Sequence, residues 1–247
     1  MPGNAKRPDL PIGETLSVMP DGRRPRRETF TGGSVVIEPI DPARHGSDLY
    51  AAACGPEGDQ SGEMWTYMSF GPFDDFEAFR GWLAPQAESE DPLVFAIIDK
   101  ASGAARGMAS YLRIVPQWAS CEVGSIWYAP SLVRSRAATE AMFLMARHVF
   151  EDLGYRRYEW KCDSLNAASR RAALRLGFRY EGIFRQHMIY KGRNRDTAWF
   201  AMTDQDWGPA KAAFEAWLAD GNFDADGHQL RGLADFRARH DGNGMSG

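Results

Sequence analysis

Two short stretches hold the residue types from which chemistry can be argued. In residues 163–178, DSLNAASRRAALRLGF, a β-type run from Tyr158 to Cys162 has just ended. Asn166 then opens an Ala/Leu/Arg-rich helix that closes on Gly177-Phe178. Upstream, a strand-like run over 121–128 leads through Pro130 and the basic turn Leu132-Val133-Arg134-Ser135-Arg136 into a long helix. Each strand–turn–helix presents unpaired backbone N–H groups at a helix N-terminus, where the helix dipole also favours anions. Two such units in series predict an anion cradle built from Val133, Arg134, Ser135, Arg136, Ala137, Ala138 and Thr139 beside the Asn-led helix. Arg134 and Arg136 are expected to add charge-assisted contacts, the alternative being that both face solvent. Asn166 has two compatible roles, a ligand contact and an N-cap whose acceptor receives the N–H of Ser169.

Glu122 is the leading general-base candidate. It stands in the apolar-rich run Ala119-Ser120-Cys121-Glu122-Val123-Gly124-Ser125-Ile126. Partial burial would raise its pKa and fit it to accept a proton from an ammonium group. The alternative is a solvated face or an ordinary ion pair. Tyr111, Trp118, Tyr128 and His187 are polar aromatics near this strand, with His187 read as structural. The segment 64–73, MWTYMSFGPF, is dense in aromatics. From their types alone, Trp65 and Tyr67 there can fill a core as readily as line a pocket.

The elements that must position these groups follow from periodicity. Residues 1–33, with five prolines and the cluster Arg23, Arg24, Arg26 and Arg27, read as an extended arm without an element of its own. Residues 34–220 form one domain: strands over 34–40, 92–99, 105–115, 121–128, 157–162, 179–190 and 197–202, and helices over 41–53, 74–87, 136–153, 167–176 and 206–218. Residues 221–247 make a tail with a short amphipathic piece and a Gly-rich end. The order implies an α/β (α+β) domain, a mixed central sheet with helices on both faces.

Composition narrows the function classes. An apolar fraction of 44% supports a real core, and a net charge of −4 gives no basic field for nucleic acid or anionic membranes. The three cysteines, Cys54, Cys121 and Cys162, have neither disulfide-framework nor metal-ligand spacing. With no apolar run approaching a membrane span, a cytoplasmic protein without a metal is expected.

In combination, these motifs resemble the GNAT superfamily of N-acetyltransferases, most closely its ribosomal-protein (Rim-type) branch. The residues that carry the resemblance are Glu122-Val123-Gly124, Ala138-Thr139-Glu140-Ala141, and Asn166, Ser169 and Gly177-Phe178. The resemblance spans about Phe95 to Met202. It implies acetyl-CoA as co-substrate, an amine acceptor, and direct attack of the amine on the thioester without a covalent enzyme intermediate. It makes Glu122 the base, and Ser169 or an ordered water the proton donor to the thiolate. It places Tyr128, the 133–139 turn, Asn166 and Ser169 against the cofactor, and Trp65, Tyr67 and Tyr111 near the acceptor. Two positions depart from the family: Arg136 stands where the phosphate turn has a glycine, and Ala173 where many relatives have a tyrosine. Those departures keep a non-catalytic acyl-CoA-binding or regulatory module as the alternative. Nucleotide binding is weaker, since no GxxxxGK[ST] occurs. Protein N-termini, amino acids, polyamines and small xenobiotic amines all remain open as acceptors, and a homodimer is allowed.

Overall fold

The computed structural model describes residues 10–56, 58–59 and 61–241. Eight strands form one sheet: β1 (Phe30–Thr31), β2 (Val35–Pro39), β3 (Leu93–Asp99), β4 (Ala105–Val115), β5 (Ser120–Tyr128), β6 (Arg157–Asp163), β7 (Arg179–Tyr190) and β8 (Arg193–Thr203), in the spatial order β1-β2-β3-β4-β5-β6-β8-β7. All neighbouring pairs are antiparallel except β5 with β6. That one parallel pair requires a crossover, which the helix after β5 supplies.

Among the described residues six α-helices accompany the sheet: α1 (Pro42–Cys54), α2 (Phe76–Glu88), α3 (Arg136–Arg147), α4 (Ala167–Leu176), α5 (Asp204–Leu218) and α6 (Leu233–Asp241). Their starts follow local chemistry. Asp41 and Asp75 cap α1 and α2 with their carboxylates, and Thr203 with Asp206 forms a capping box at α5. Alternation along the strands splits the core in two. Phe95, Ile97, Tyr111, Val123 and Tyr158 pack towards α3 and α5, whereas Val94, Ala96, Met108 and Trp127 pack with Leu49 of α1 and with Phe79 and Leu83 of α2. The mixed sheet with helices on both faces is as the sequence implies.

Three boundaries differ from the sequence reading. The arm contributes β1 through Phe30 and Thr31, because Phe30 packs on Phe95 and His148. Its first nine residues, and the Gly-rich end after Asp241, lie outside the described residues. The helix expected over 136–153 is α-helical only to Arg147 and continues as a π turn, His148–Asp152, before Gly154 at φ 64°. The hairpin link expected over 191–196 is shorter, since β8 begins at Arg193. No helix among the described residues is long and apolar enough to cross a membrane.

Candidate active site

The site begins where two strands part. β5 and β6 pair from Ser120 with Arg157 to Val123 with Trp160 and no further, while β6 continues to Asp163 against Thr197 of β8. Ser125 sits at φ 50° in a bulge of β5, which turns residues 124–128 away from β6. A cleft of about 1460 Å³ opens in the gap, lined along β5 by Gly124, Ser125, Ile126, Trp127 and Tyr128. The β6-facing edge of 124–128 has no strand partner among the described residues. A Cβ on Gly124 would stand 3.1 Å from the Glu122 carboxylate and closer still to Leu112, so glycine leaves the room that both need.

One wall of the cleft is the start of α3. Ser135 caps it, its Oγ accepting the Ala138 N–H at 3.0 Å. Val133, Arg134, Ala138 and Thr139 line the cleft. Arg134 takes the left-handed conformation at φ 61°. Arg136 is the first helical residue, so the missing glycine costs no strain there. Its guanidinium turns away from the cleft to the Leu218 carbonyl, to Asp220 at 2.7 Å and over the Phe223 ring at 4.5 Å. The charge expected of Arg136 at the turn is thus committed to the C-terminal segment, and Ala137 is core. Arg171 and Arg175 of α4 line the same end, Arg175 donating to Thr139 Oγ1 at 3.1 Å. Burial, and Arg237 beside it, lower the Arg175 pKa.

Asn166 is the N-cap of α4, its Oδ1 accepting the Ser169 N–H at 2.9 Å, and both residues line the cleft. Ser169 Oγ accepts the Trp160 indole N–H at 3.0 Å, which leaves its own O–H to donate. Tyr128 is half-buried, and burial raises its pKa with Arg175 opposing.

Glu122 lies 9% exposed in the cleft floor. It shares a sheet face with its parallel neighbour Glu159 and with Lys161, which pairs across to Trp199. Lys161 Nζ reaches Glu122 Oε2 at 2.9 Å and Glu159 Oε2 at 2.7 Å, and rests 3.8 Å from the centre of the Trp199 ring. Arg113 Nε stands 3.8 Å from Glu122. Burial raises the Glu122 pKa against the pull of Lys161 and Arg113. Burial also acts on Glu159, but hydrogen bonds from Lys161 and Arg157 win and lower it. Both features weighed in the sequence, partial burial and an ion pair, are present together.

The far end of the cleft is walled by residues of segment 61–70 and by the β7–β8 hairpin. Tyr67 lines it and donates to the Leu165 carbonyl at 3.3 Å. Trp65 does not: it is buried against Phe70, Phe73 and Trp127, and a side chain on Gly71 (φ 61°) would run into its ring. Tyr111 is likewise removed from the expected pocket. Its register opposite Val123 turns it towards α3, where it is fully buried and donates to the Met145 carbonyl at 2.9 Å. His187 lines the cleft with Nδ1 2.9 Å from Thr197 Oγ1, and burial with Arg113, Arg195 and Lys161 nearby lowers its pKa. Trp118 is exposed at the end of a turn before β5.

Lys161, Arg113, Arg175 and Arg195 escaped the sequence reading. The signal for Lys161 was present: Arg157, Glu159 and Lys161 alternate with Tyr158, Trp160 and Cys162. A charged face on a central strand implies a built network.

Comparison with known proteins bears on the family of the chain. Residues 37–179 match the family model described as an acetyltransferase (GNAT) domain. A GCN5-related N-acetyltransferase structure from Brucella melitensis is 46% identical with a TM-score of 0.86, covering 90% of this chain and 99% of that one. A probable GNAT-family acetyltransferase from Chromobacterium violaceum is 38% identical with a TM-score of 0.73, covering 82% and 99%. The microcin C7 self-immunity acetyltransferase MccE, solved with acetyl-CoA and AMP, shares the fold at 18% identity and a TM-score of 0.60, covering 70% of this chain and 93% of that one. No curated protein matches the chain.

Proposed function

The chain belongs to the GNAT acetyltransferase family, and from that premise we propose that it moves an acetyl group from acetyl-CoA to a primary amine by direct attack in a ternary complex. The observation that carries this reading is the buried Glu122 at the floor of a cleft opened by the parting of β5 and β6. A cofactor in that gap would find unpaired strand backbone along 124–128 for its pantetheine arm and thioester carbonyl. The start of α3 would take its phosphates, with Arg134 and Arg171 supplying charge. No cationic side chain at Arg136 is needed there, since its N–H still belongs to the first turn of α3.

Glu122 takes one proton from the incoming ammonium, leaving a neutral amine. The amine nitrogen attacks the thioester carbonyl, the C–N bond forms and the C–S bond breaks. The carbonyl oxygen's developing charge is met by β5 backbone N–H groups. The nitrogen's surplus proton leaves with the sulfur as thiol, through Ser169 or a water. Ser169 suits the relay because its Oγ accepts from Trp160, and its O–H, which also meets the Cys162 sulfur, can donate. Kinship with the ribosomal-protein branch rests on Glu122-Val123-Gly124 and Ala138-Thr139-Glu140-Ala141, and bears on ancestry more than on substrate.

The test is transfer itself. Acetyl-CoA is incubated with a panel of peptides, amino acids, polyamines and aryl amines, following free thiol and acetylated product by mass. Thiol release matched by N-acetyl product supports the reading. Saturable acetyl-CoA binding without any acceptor-dependent release would return the chain to the acyl-CoA-binding module.

A further inference from the structure

Arg195 is a cleft-lining cation that the acetyl-transfer chemistry leaves unused. It is half-buried on β8, lines the cleft beside His187, Met188 and Tyr190, and its Nε is buried without a hydrogen-bond partner. No carboxylate or carbonyl among the described residues pairs with its guanidinium, which lies 5.7 Å from the centre of the Tyr190 ring. Other charges nearby are matched. Lys161 is held between Glu122 and Glu159, and Arg113 leans on Glu122. Asp163 accepts the Tyr190 hydroxyl at 2.8 Å and the Leu165 N–H at 2.9 Å. Burying part of a guanidinium without an acceptor is costly, and this one has the Tyr190 ring and the open cleft before it.

We infer that the acceptor is an amine that also bears a carboxylate, an amino acid in form, with the carboxylate on Arg195 and the amine directed to Glu122. This rests on the transferase reading above. A single unpaired guanidinium matches one negative charge. A phosphate dianion would add a second charge facing Glu122 and Asp163, which are already acidic. A planar guanidinium fork suits a planar carboxylate in two parallel hydrogen bonds. The acceptor side of the cleft mixes polar groups such as Thr66, Tyr67 and Ser69 with the apolar Met64, Met68, Phe70 and Met188. The three adaptable methionines suit an apolar side chain on the body between the two polar ends.

The experiment compares matched acceptors on the wild-type protein. Apolar amino acids, their C-terminal amides, and aminoalkyl phosphates are each given with saturating acetyl-CoA, rates being referred to the neutral amine present. The free acids should exceed the amides by about 10–100-fold in kcat/KM, as expected when one charge-assisted hydrogen bond is absent from the amides, whose carbonyl keeps the other. Arg195→Gln should raise KM for the acids by a similar factor, with KM for the amides and for acetyl-CoA unchanged, and Arg195→Lys should recover part of the deficit. Amides or phosphates that match or beat the acids, or an Arg195→Gln protein that treats acids as the wild type does, overturn the inference and leave the transferase reading standing. Amino acids that neither react nor shift the melting temperature of the acetyl-CoA complex overturn it equally. Failure to bind acetyl-CoA at all would instead remove the reading beneath it, and the inference with it.

Discussion

Replacing Lys161 by methionine tests how the cleft sets the charge of Glu122. The ammonium lies 2.9 Å from Glu122 Oε2, with side-chain exposures of 4% and 11%. At that separation the gross attraction is about 6 kcal/mol for an effective dielectric of about 20. The net effect is smaller, because Arg113 stands 3.8 Å away and water can follow the lost charge. An opposite charge this close ordinarily lowers a carboxyl pKa by about 1–3 pH units, equivalent to about 1.4–4 kcal/mol. Lys161→Met should therefore carry the acidic limb of the kcat/KM profile upward by about 1–3 pH units. Stability should respond with a definite sign. Burial already raises the Glu122 pKa in the folded protein, so its favourable contribution exists below the unfolded pKa and disappears as pH rises through the folded one. The variant raises that folded value further. Its stability deficit should thus grow as pH rises, by about 1.4–4 kcal/mol between pH 5 and pH 8, as Glu122 ionises with Arg113 as its remaining cation and Glu159 keeps Arg157. Thiol-release kinetics across pH and denaturant melts at the two pH values make the measurement. An unmoved limb with a deficit independent of pH would refute the coupling.

Three further outcomes follow from the same geometry. Glu122→Gln should retain acetyl-CoA affinity, measured calorimetrically, and lose turnover by about 10²–10⁴-fold; Lys161 keeps Glu159 at 2.7 Å, so the fold should survive and the variant should gain stability relative to wild type as pH rises. Arg134→Ala with Arg171→Ala should weaken acetyl-CoA binding by about 1.5–3 kcal/mol for each charge-assisted hydrogen bond to phosphate that the arginines supply, and the difference from wild type should shrink in high salt. Tyr111→Phe should cost about 1 kcal/mol in a denaturant melt by removing the buried bond to Met145, with both KM values unchanged.

Much of the scaffold was legible because its signals are local. The Asn166 cap and the Gly177 close at φ 103° are set by neighbouring residues, as is the Ser135 cap of α3. Glu122 was legible because a carboxylate in an apolar-rich strand is anomalous wherever the strand lies. What stayed hidden depends on register and distant partners. Tyr111 and Trp65 share a composition with pocket-lining aromatics, and only the strand pairing and the packing of segment 64–73 send both into the core. Arg136 reads as a phosphate ligand until Asp220 and Phe223 fold back beside it. Lys161 meets Glu122 across 39 residues through the parallel β5–β6 pairing.

The central claim is that the gap between β5 and β6 is an acetyl-CoA site, and the most direct test is a calorimetric titration of the wild-type protein with acetyl-CoA. One saturable site per chain is expected, weakened in the Arg134→Ala, Arg171→Ala protein and unchanged in Glu122→Gln, together with a rise in melting temperature. No heat and no thermal shift at millimolar acetyl-CoA would contradict the account.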